Sequence, residues 1–518
     1  MFLKKITLLF SFVLAVHFIA PAQNQALSKI DIKDLKEHLT FISSDELQGR
    51  KLGTEVDGLG ITANYLAENA KRIGLKPAAD NYFQPVEMVF DKPLKNSFIK
   101  VINKKGKVDL NSDKLVYFGQ PAGKIELQSD AVVLLGFGTQ DLTTTDIEGK
   151  IVVISQNTPK LFLGKEIGWS SHLERPKIAK VAAKNPKAIL VVLNPNKKAD
   201  DTFSRINRWI NRERYALKSS GEKEAPVLIV MPEVADALLG GKGKYKKYLT
   251  NVAKGKKSKQ VTIKNRTVNM QFGSTSEPVE AKNVVAYIEG SDPVLKNEYF
   301  VYMAHYDHLG VDKNGDVYNG ADDNGSGTVT LMEIAEAFAS LDKKPKRSIV
   351  FLWVTCEEIG MLGSLYYSDH PLFPMEKTVG CINIDMDGRV FEPRDTVWNK
   401  SPKKVKDFYG LYTLANNVWP ELTKISDEQC AELSLVPDKS LPEHFLRSSD
   451  HYSFHKHGVP ILNYATGYHA DYHKVGDEVS KINFEKIKLV AELSFLVGYK
   501  VANLDKIGFK REIGQDYP

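Results

Sequence analysis

The chain is 518 residues long and 42% hydrophobic, a globular composition whose length allows two to four domains at about 100–200 residues each. Its net charge of +6, or +4 without Lys4 and Lys5, is too mild to imply a polyanionic partner. Three cysteines, Cys356, Cys381 and Cys430, exclude a disulfide framework and read as small buried apolar residues.

In chain order, MFLKKITLLFSFVLAVHFIAPAQ reads as a secretory signal peptide over residues 1–22. Lys4 and Lys5 form the basic start, 6–20 the apolar core, and Ala20, Pro21 and Ala22 a small-residue exit. The apolar run is shorter than the ~20 residues a spanning helix needs, and no later segment is apolar enough to span a bilayer. The expectation is an exported protein, periplasmic or extracellular, with no stable membrane insertion after cleavage.

Ile30, Ile32, Leu35, Leu39 and Ile42 recur at helical spacing before SSDELQGRKLGT forms a polar turn. Thr54 with Asp57 is placed to cap a second helix, which carries Tyr65, Leu66, Ala70 and Ile73 and stops at Gly74. From about residue 111 the character changes to short apolar runs, AVVLLGF, KIVVIS, AILVVLN and APVLIVM, with no candidate ligand cluster. These predict a separate, mostly β insertion at 113–262. Its tail, GGKGKYKKYLTNVAKGKKSKQ, lacks arginine and nearly lacks stacking aromatics, so it reads as a solvated lysine-rich loop and not a nucleic-acid surface. The flanks, 23–112 and 263–518, then form one discontinuous α/β domain.

The chemistry concentrates in 298–389, where three apolar runs each end in a burst of metal-type ligands. EYFVYMA delivers His305, Asp307 and His308; SIVFLWVT delivers Cys356, Glu357 and Glu358; TVGCINI delivers Asp385 and Asp387. Between the first two, GADDNGSG puts Asp322 and Asp323 at the mouth of a helix. Short Val/Ile/Phe-rich runs alternating with a helical segment predict parallel βαβ units, and ligands collect beyond the carboxyl ends of such strands.

His305 and Asp307 share one face of a strand, where the carboxylate can hold the imidazole's tautomer. Asp322 and Asp323 can cap the helix or bridge two cations. Glu357 and Glu358 are adjacent and point to opposite sides of an extended segment, so one can bind metal while the other faces a water. Asp385 ends a run too apolar to tolerate an unpaired charge. Asp312, Asn314 and Asp316 suggest a calcium loop, but Val317 stands where that loop needs glycine. Farther on, GYHADYHKVGDE offers His469, Asp471, Tyr472, His473 and Asp477, and spacing alone does not choose between the two histidines.

AHYDHLG, GADDNGSG, CEEIGMLGS, INIDMDG and DYHKVGD, five motifs in order, together resemble the secreted di-zinc aminopeptidases, relatives of glutamate carboxypeptidase and the transferrin receptor ectodomain. The resemblance covers both flanks and implies a mixed, mostly parallel central sheet flanked by helices. DIEGKIVVI makes the insertion similar to a protease-associated domain. Carried onto matching positions, the family implies two zinc ions bridged by Asp323. His305 and Asp385 would complete one ion's protein ligands, and Glu358 and His473 the other's. Glu357 matches the general base and Tyr472 a tyrosine that steadies the oxyanion, while Asp307 and Asp477 would support the ligands from behind. The family also implies a cis peptide between Asp323 and Asn324. The stretch 391–442, where the family carries specificity loops, matches no subfamily.

The resemblance therefore implies an exported enzyme that removes N-terminal residues from peptide substrates. A carboxypeptidase or dipeptidase on the same metal core is its nearest rival. A non-catalytic receptor-like scaffold is disfavoured by the presence of all five ligands and the base. A single-metal glutaminyl cyclase relative is disfavoured because it would leave His305 without a role.

Overall fold

Strand Tyr299–His305 is buried on both faces, because every second side chain goes to a different core. Phe300, Tyr302 and Ala304 enter one hydrophobic cluster, and Val301 and Met303 enter another. Full burial of such a side chain contributes roughly 1.5–3 kcal/mol, so a run with no polar alternation is the signature of a central strand. The computed structural model in which this is seen describes residues 21–103, 106–119, 123–164, 167–218, 225–256, 260–390 and 409–511. The expected leader's basic start and apolar core lie outside the described residues. Among the described residues, no helix is long and apolar enough to cross a membrane.

The chain divides into two compact units, one of residues 1–86 with 281–518 and one of residues 87–280. In the first, Tyr299–His305 pairs parallel with Ser348–Val354 on one side and with Thr378–Ile384 on the other. Thr378–Ile384 pairs parallel with Ile461–Ala465, which pairs antiparallel with Gly410–Ala415. Residues 284–288 run antiparallel to Ser348–Val354, so the sheet is mixed and mostly parallel, as expected. Helices Ile32–Ile42, Gly58–Arg72, Gly327–Ala339, Pro420–Glu432 and Phe484–Asn503 bury apolar faces in the larger core. Leu362–Asp369 and His451–His455 supply Tyr367 and Phe454 to the opposite one.

From Tyr299–His305 the chain moves out to Ser348–Val354 and then returns past its starting strand to Thr378–Ile384. That reversal is a topological switch point, and it opens a crevice at the carboxyl end of the central strand. His305 is the last residue of that strand.

The second unit holds a six-stranded sheet in which Val132–Leu134, Ile151–Ser155, Ala188–Val192 and Val227–Val230 are mutually parallel. Its limits are wider than 113–262. Strands Phe98–Asn103 and Lys124–Ser129 pair with the first half of Arg266–Ile288, which draws both flanks into this unit. Among the described residues, the strands here are joined by helices Pro159–Leu163, Ser171–Ala182, Ala199–Ile210, Pro232–Leu239 and Lys244–Ala253. The last of them corrects the lysine-rich loop. Tyr245, Tyr248, Leu249 and Val252 lie at helical spacing and are buried, while Lys244, Lys246 and Lys247 stay solvated.

Helix Gly58–Arg72 is capped by Asp57, whose carboxylate accepts from the Gly60 amide at 2.9 Å. The Thr54 hydroxyl instead donates to the carbonyls of Lys51 and Val56.

Candidate metal centre

Three strand ends and two loops deliver the site. His305 closes the central strand, Glu357 and Glu358 follow Ser348–Val354, and Asp385 follows Thr378–Ile384. Asp323 comes from the turn before helix Gly327–Ala339, and His473 from the loop after Ile461–Ala465.

His305 Nε2 lies 3.5 Å from Asp323 Oδ1 and 3.5 Å from Asp385 Oδ1. The other oxygen of Asp323, Oδ2, lies 3.1 Å from His473 Nε2, which is itself 3.2 Å from Glu358 Oε2. Asp323 thus turns one oxygen to each of two adjacent donor groups. Ligand bonds of about 2.0–2.1 Å in a tetrahedron separate the donors by roughly 3.4 Å. Both groups have that spacing, so their residues fit a metal ion.

The supports behind these side chains follow from unpaired backbone groups. Asp477 accepts from the amides of Asp322 and Asp323 at 3.0 Å each, which fixes the turn that presents the shared carboxylate. Asp307 accepts from the amides of Glu357 at 2.9 Å and Glu358 at 3.3 Å. Its carboxylate comes only to 3.7 Å of His305 Nδ1, and the nearer partner of that nitrogen is the Asp307 carbonyl at 3.3 Å. The helix cap falls to Asn324, whose Oδ1 accepts from the Gly327 amide at 3.0 Å. The Asp323–Asn324 peptide is cis.

Geometry also separates residues that spacing left together. His469 Nε2 sits 3.1 Å from Asp322 Oδ2, leaving His473 as the histidine that faces Asp323 and Glu358. Asp387 turns away and accepts from the Thr330 hydroxyl at 2.7 Å, and Asp471 pairs with Arg389 and Lys481.

Two residues join the centre without having been assigned a place in it. His308 is fully buried, with Nδ1 2.8 Å from Glu358 Oε1. Gly320 makes room for the ring, since a Cβ there would fall 2.4 Å from it. Asp450, which starts helix His451–His455, is buried close enough to bear on Glu357. Its motif, SSDHYSFH, has no ligand-like spacing to mark it.

The electrostatics are those of a buried anionic cluster. Burial, with Asp450, Glu358 and Asp385, pushes the Glu357 carboxyl well above the ordinary range against the pull of His305. Burial and Glu358 raise Asp323 to about 6, while His308 and His473 outweigh burial and hold Glu358 low. Burial would lower His473, but Asp323 and Glu358 overcome it and raise its pKa to about 10. Asp307 and Asp385 likewise outweigh burial and hold His305 well above its usual value. So many buried carboxylates around one point call for cationic partners, a need that a metal ion would suit. The thiols stay inert: burial above all raises Cys356 and Cys381 far up, and Cys430 to about 11.

A cavity of 120 Å³ opens onto His305, Asp323, Glu357, Asp385 and His473, with Tyr412, Leu441, Phe445, Tyr468 and Tyr472 among its other walls. Tyr472 stacks on His473, ring centroids 3.8 Å apart. Burial and Asp323 drive its phenol far above its usual range, so it stays a donor.

Residues 283–497 match the family model described as Peptidase family M28. The match takes in 215 of the chain's 518 residues. The chain is 25% identical over 386 residues to aminopeptidase YwaD of Bacillus subtilis, covering 72% of this chain and 66% of that protein. It is 28% identical over 241 residues to leucine aminopeptidase 2 of Arthroderma otae, covering 42% of this chain and 44% of that protein. The chain thus covers less than two thirds of the length of either relative. Among solved structures, an aminopeptidase from Aneurinibacillus sp. strain AM-1 aligns with a TM-score of 0.47 at 17% identity, over 94% of this chain and 98% of that one. The M28 segment takes in every residue of the candidate centre from His305 to Asp477.

Proposed function

We propose that this protein is an exported aminopeptidase that holds two zinc ions and removes N-terminal residues from peptides. The observation that carries the reading is the shared Asp323, whose two oxygens face two donor groups beside one cavity. His305 and Asp385 would hold one ion with Asp323, and Glu358 and His473 the other. Bound zinc supplies Lewis acidity, which polarises a carbonyl and lowers the pKa of water from about 15.7 toward ~7.

The chain's own groups do the rest. Glu357 lines the cavity, and with cations beside it its carboxylate is freed to accept a proton from the attacking water. It then hands that proton to the departing amine. The Tyr472 hydroxyl donates to the oxygen on which negative charge develops. The described walls of the cavity include three carboxylates, Asp323, Glu357 and Asp385, and no lysine or arginine. With the carboxylates engaged by the ions, those walls offer no cationic side chain to pair with a substrate's carboxylate end, which favours the aminopeptidase over the carboxypeptidase. The apolar walls suit an apolar first side chain. Export rests on the N-terminal leader pattern, and a protease-associated character for the inserted unit on DIEGKIVVI, whose last residues begin strand Ile151–Ser155.

The test is turnover of a peptide panel with free, N-acetylated and C-amidated ends, with and without chelator. Acetylation and chelation should each abolish cleavage, and amidation should not. Cleavage that survives acetylation but is lost on amidation would replace the aminopeptidase with the carboxypeptidase.

A further inference from the structure

We propose that the inserted unit carries a binding site of its own, a crevice that takes the carboxylate end of a peptide. A cavity of about 100 Å³ lies in that unit, with Gln156, Asn194, Lys198, Thr202 and Arg205 among its walls. One buried water needs about 10–15 Å³, so a ligand end of several heavy atoms fits. Gln156 directly follows strand Ile151–Ser155, and Asn194 lies two residues beyond Ala188–Val192. The two strands are parallel neighbours, and sheets of that kind take ligands beyond the carboxyl ends of their strands.

Asn194 is the residue that points to a ligand. It is 2% exposed, and neither its carboxamide nitrogen nor its carboxamide oxygen has a hydrogen-bond partner among the described residues. Its backbone is fully engaged: the amide donates to Gln156 Oε1 at 3.2 Å, and the carbonyl accepts from the Asn196 amide at 2.8 Å. Buried polar side chains are ordinarily paired, so an open carboxamide on a cavity wall is placed for a group that enters the cavity. Behind this wall, Glu174 accepts from the Asn157 amide at 2.8 Å, and Lys177 donates to the carbonyls of Ser155 and Asn157. A buried ion pair adds little net stability over an apolar core, yet here it fixes the strand end that bounds the crevice.

The chemistry of the walls sets the ligand class. A carboxamide open at both ends calls for an acceptor and a donor side by side, which a peptide unit supplies and an inorganic anion does not. The rim is cationic. Lys198 and Arg205 are exposed there, with Arg205 Nη2 3.5 Å from where a Cβ on Gly168 would stand. Ala199 and Thr202 bring the positive end of the 12-residue helix Ala199–Ile210 to the same cavity. The acidic residues of its first turn, Asp200 and Asp201, are exposed and not among the described walls. Lys and Arg outnumber Asp and Glu across residues 87–280, which draws anionic ligands to this unit. An amide followed by a carboxylate is the last residue of a peptide chain.

Calorimetric titration of the full chain with N-acetyl-Ala-Ala tests this, the blocked amine keeping the peptide from a site that needs a free N-terminus. Saturable binding is expected, weakened about 10–100-fold by C-terminal amidation and by Arg205→Gln, each of which removes a charged hydrogen bond. Asn194→Leu, apolar and close in volume, should melt no lower than the parent without peptide and should bind at least about 10-fold more weakly. No binding by the unaltered protein at about 10 mM peptide would overturn the proposal. So would equal affinity for the acid and the amide, or binding that Asn194→Leu and Arg205→Gln leave unchanged, which would place the peptide elsewhere. Inorganic phosphate bound as tightly as the dipeptide would overturn the ligand class, leaving a site for anions alone.

Discussion

Replacing Arg50 with Met should be the most damaging single change outside the candidate ligands. Arg50 is fully buried and donates to four backbone carbonyls: Tyr306 at 2.9 Å, Ile42 at 2.5 Å, Asn319 at 2.6 Å and Gly320 at 2.8 Å. Its own carbonyl accepts from the His308 amide at 3.3 Å. One guanidinium thus ties the SSDELQGR turn to the segments that present His305, His308 and Asp323. Gly49 permits the approach, since a Cβ at its φ of +63° would fall 2.4 Å from the Tyr318 carbonyl. Hydrogen bonds from a charged donor contribute roughly 1.5–3 kcal/mol each, so four would sum to at least ~6, while removing the buried charge recovers several kcal/mol of desolvation. The net loss is about 3–5 kcal/mol, comparable to breaking a buried ion pair. Over the roughly 320 residues of this unit, an unfolding entropy of about 2.1 cal/mol/K per residue turns 4 kcal/mol into a melting shift of about 6 °C. Metal affinity should fall by about 10–100-fold, because the loops behind the ligands loosen. Calorimetric melting of the chelated and loaded protein, with a zinc titration, reads both. Arg50→Lys should lie between the two, keeping the charge but only part of the fork. A Met variant that melts within about 1 °C of the parent and titrates identically would refute the reasoning.

Glu357→Gln should lower turnover of a chromogenic N-terminal anilide by about 10²–10⁴-fold with zinc content unchanged, and activity within threefold of the parent would remove Glu357 as the base. Glu333 is 1% exposed, and burial raises its pKa from 4.5 to about 8, while it accepts from the Asp31 amide at 2.9 Å. The folded state therefore holds a proton that the unfolded state has released. The stability present below about pH 4.5 is lost as pH rises toward 8, by about 3 kcal/mol at pH 7. Glu333→Gln should recover that loss above pH 7 and change little near pH 4; equal pH slopes in denaturant melts of the two proteins would contradict this. In the inserted unit, Lys177 pairs with Glu174 at 2.7 Å, with both side chains buried, and also donates to the carbonyls of Ser155 and Asn157. Lys177→Met should cost about 3–5 kcal/mol by leaving Glu174 unpaired, and adding Glu174→Leu should restore much of it. A double variant no more stable than the single one would show that the backbone contacts, not the charge, carry the effect.

The peptidase sheet was legible because parallel strands buried on both faces must be written as unbroken apolar runs. A charge at the end of such a run can only be a ligand, a partner or an error. EYFVYMAH, SIVFLWVT and TVGCINI meet that condition, and all three become neighbouring strands. The inserted unit obeys the same rule in AVVLLGF, KIVVIS, AILVVLN and APVLIVM. Its helices were harder to see because they are short and charged. In KYKKYLTNVA, the i, i+3, i+4, i+7 pattern of Tyr245, Tyr248, Leu249 and Val252 was present, but the lysines between them dominate any reading by charge. The unit's limits were misplaced for another reason. Strand pairing between residues 98–103 and 266–271 is a contact between distant segments, and no local pattern reports it.

What the sequence could not rank was side chains that share a loop. His469 and His473 differ only in which aspartate of the Asp322–Asp323 pair each one meets, and that is decided by the turn held to Asp477. His308 was in view as part of AHYDHLG, but its distance to Glu358 exists only once two parallel strands are in register, His305 beside Val354. Asp450 shows the limit most clearly. It sits in a stretch without ligand spacing, yet its carboxyl, raised to about 7 by burial, adds to the negative charge that bears on Glu357. The charge of such a group bears on Glu357 only in the assembled centre, where it helps burial to raise that carboxyl's pKa. Its role therefore depends on several chain segments at once, and its own neighbours in sequence carry no trace of it.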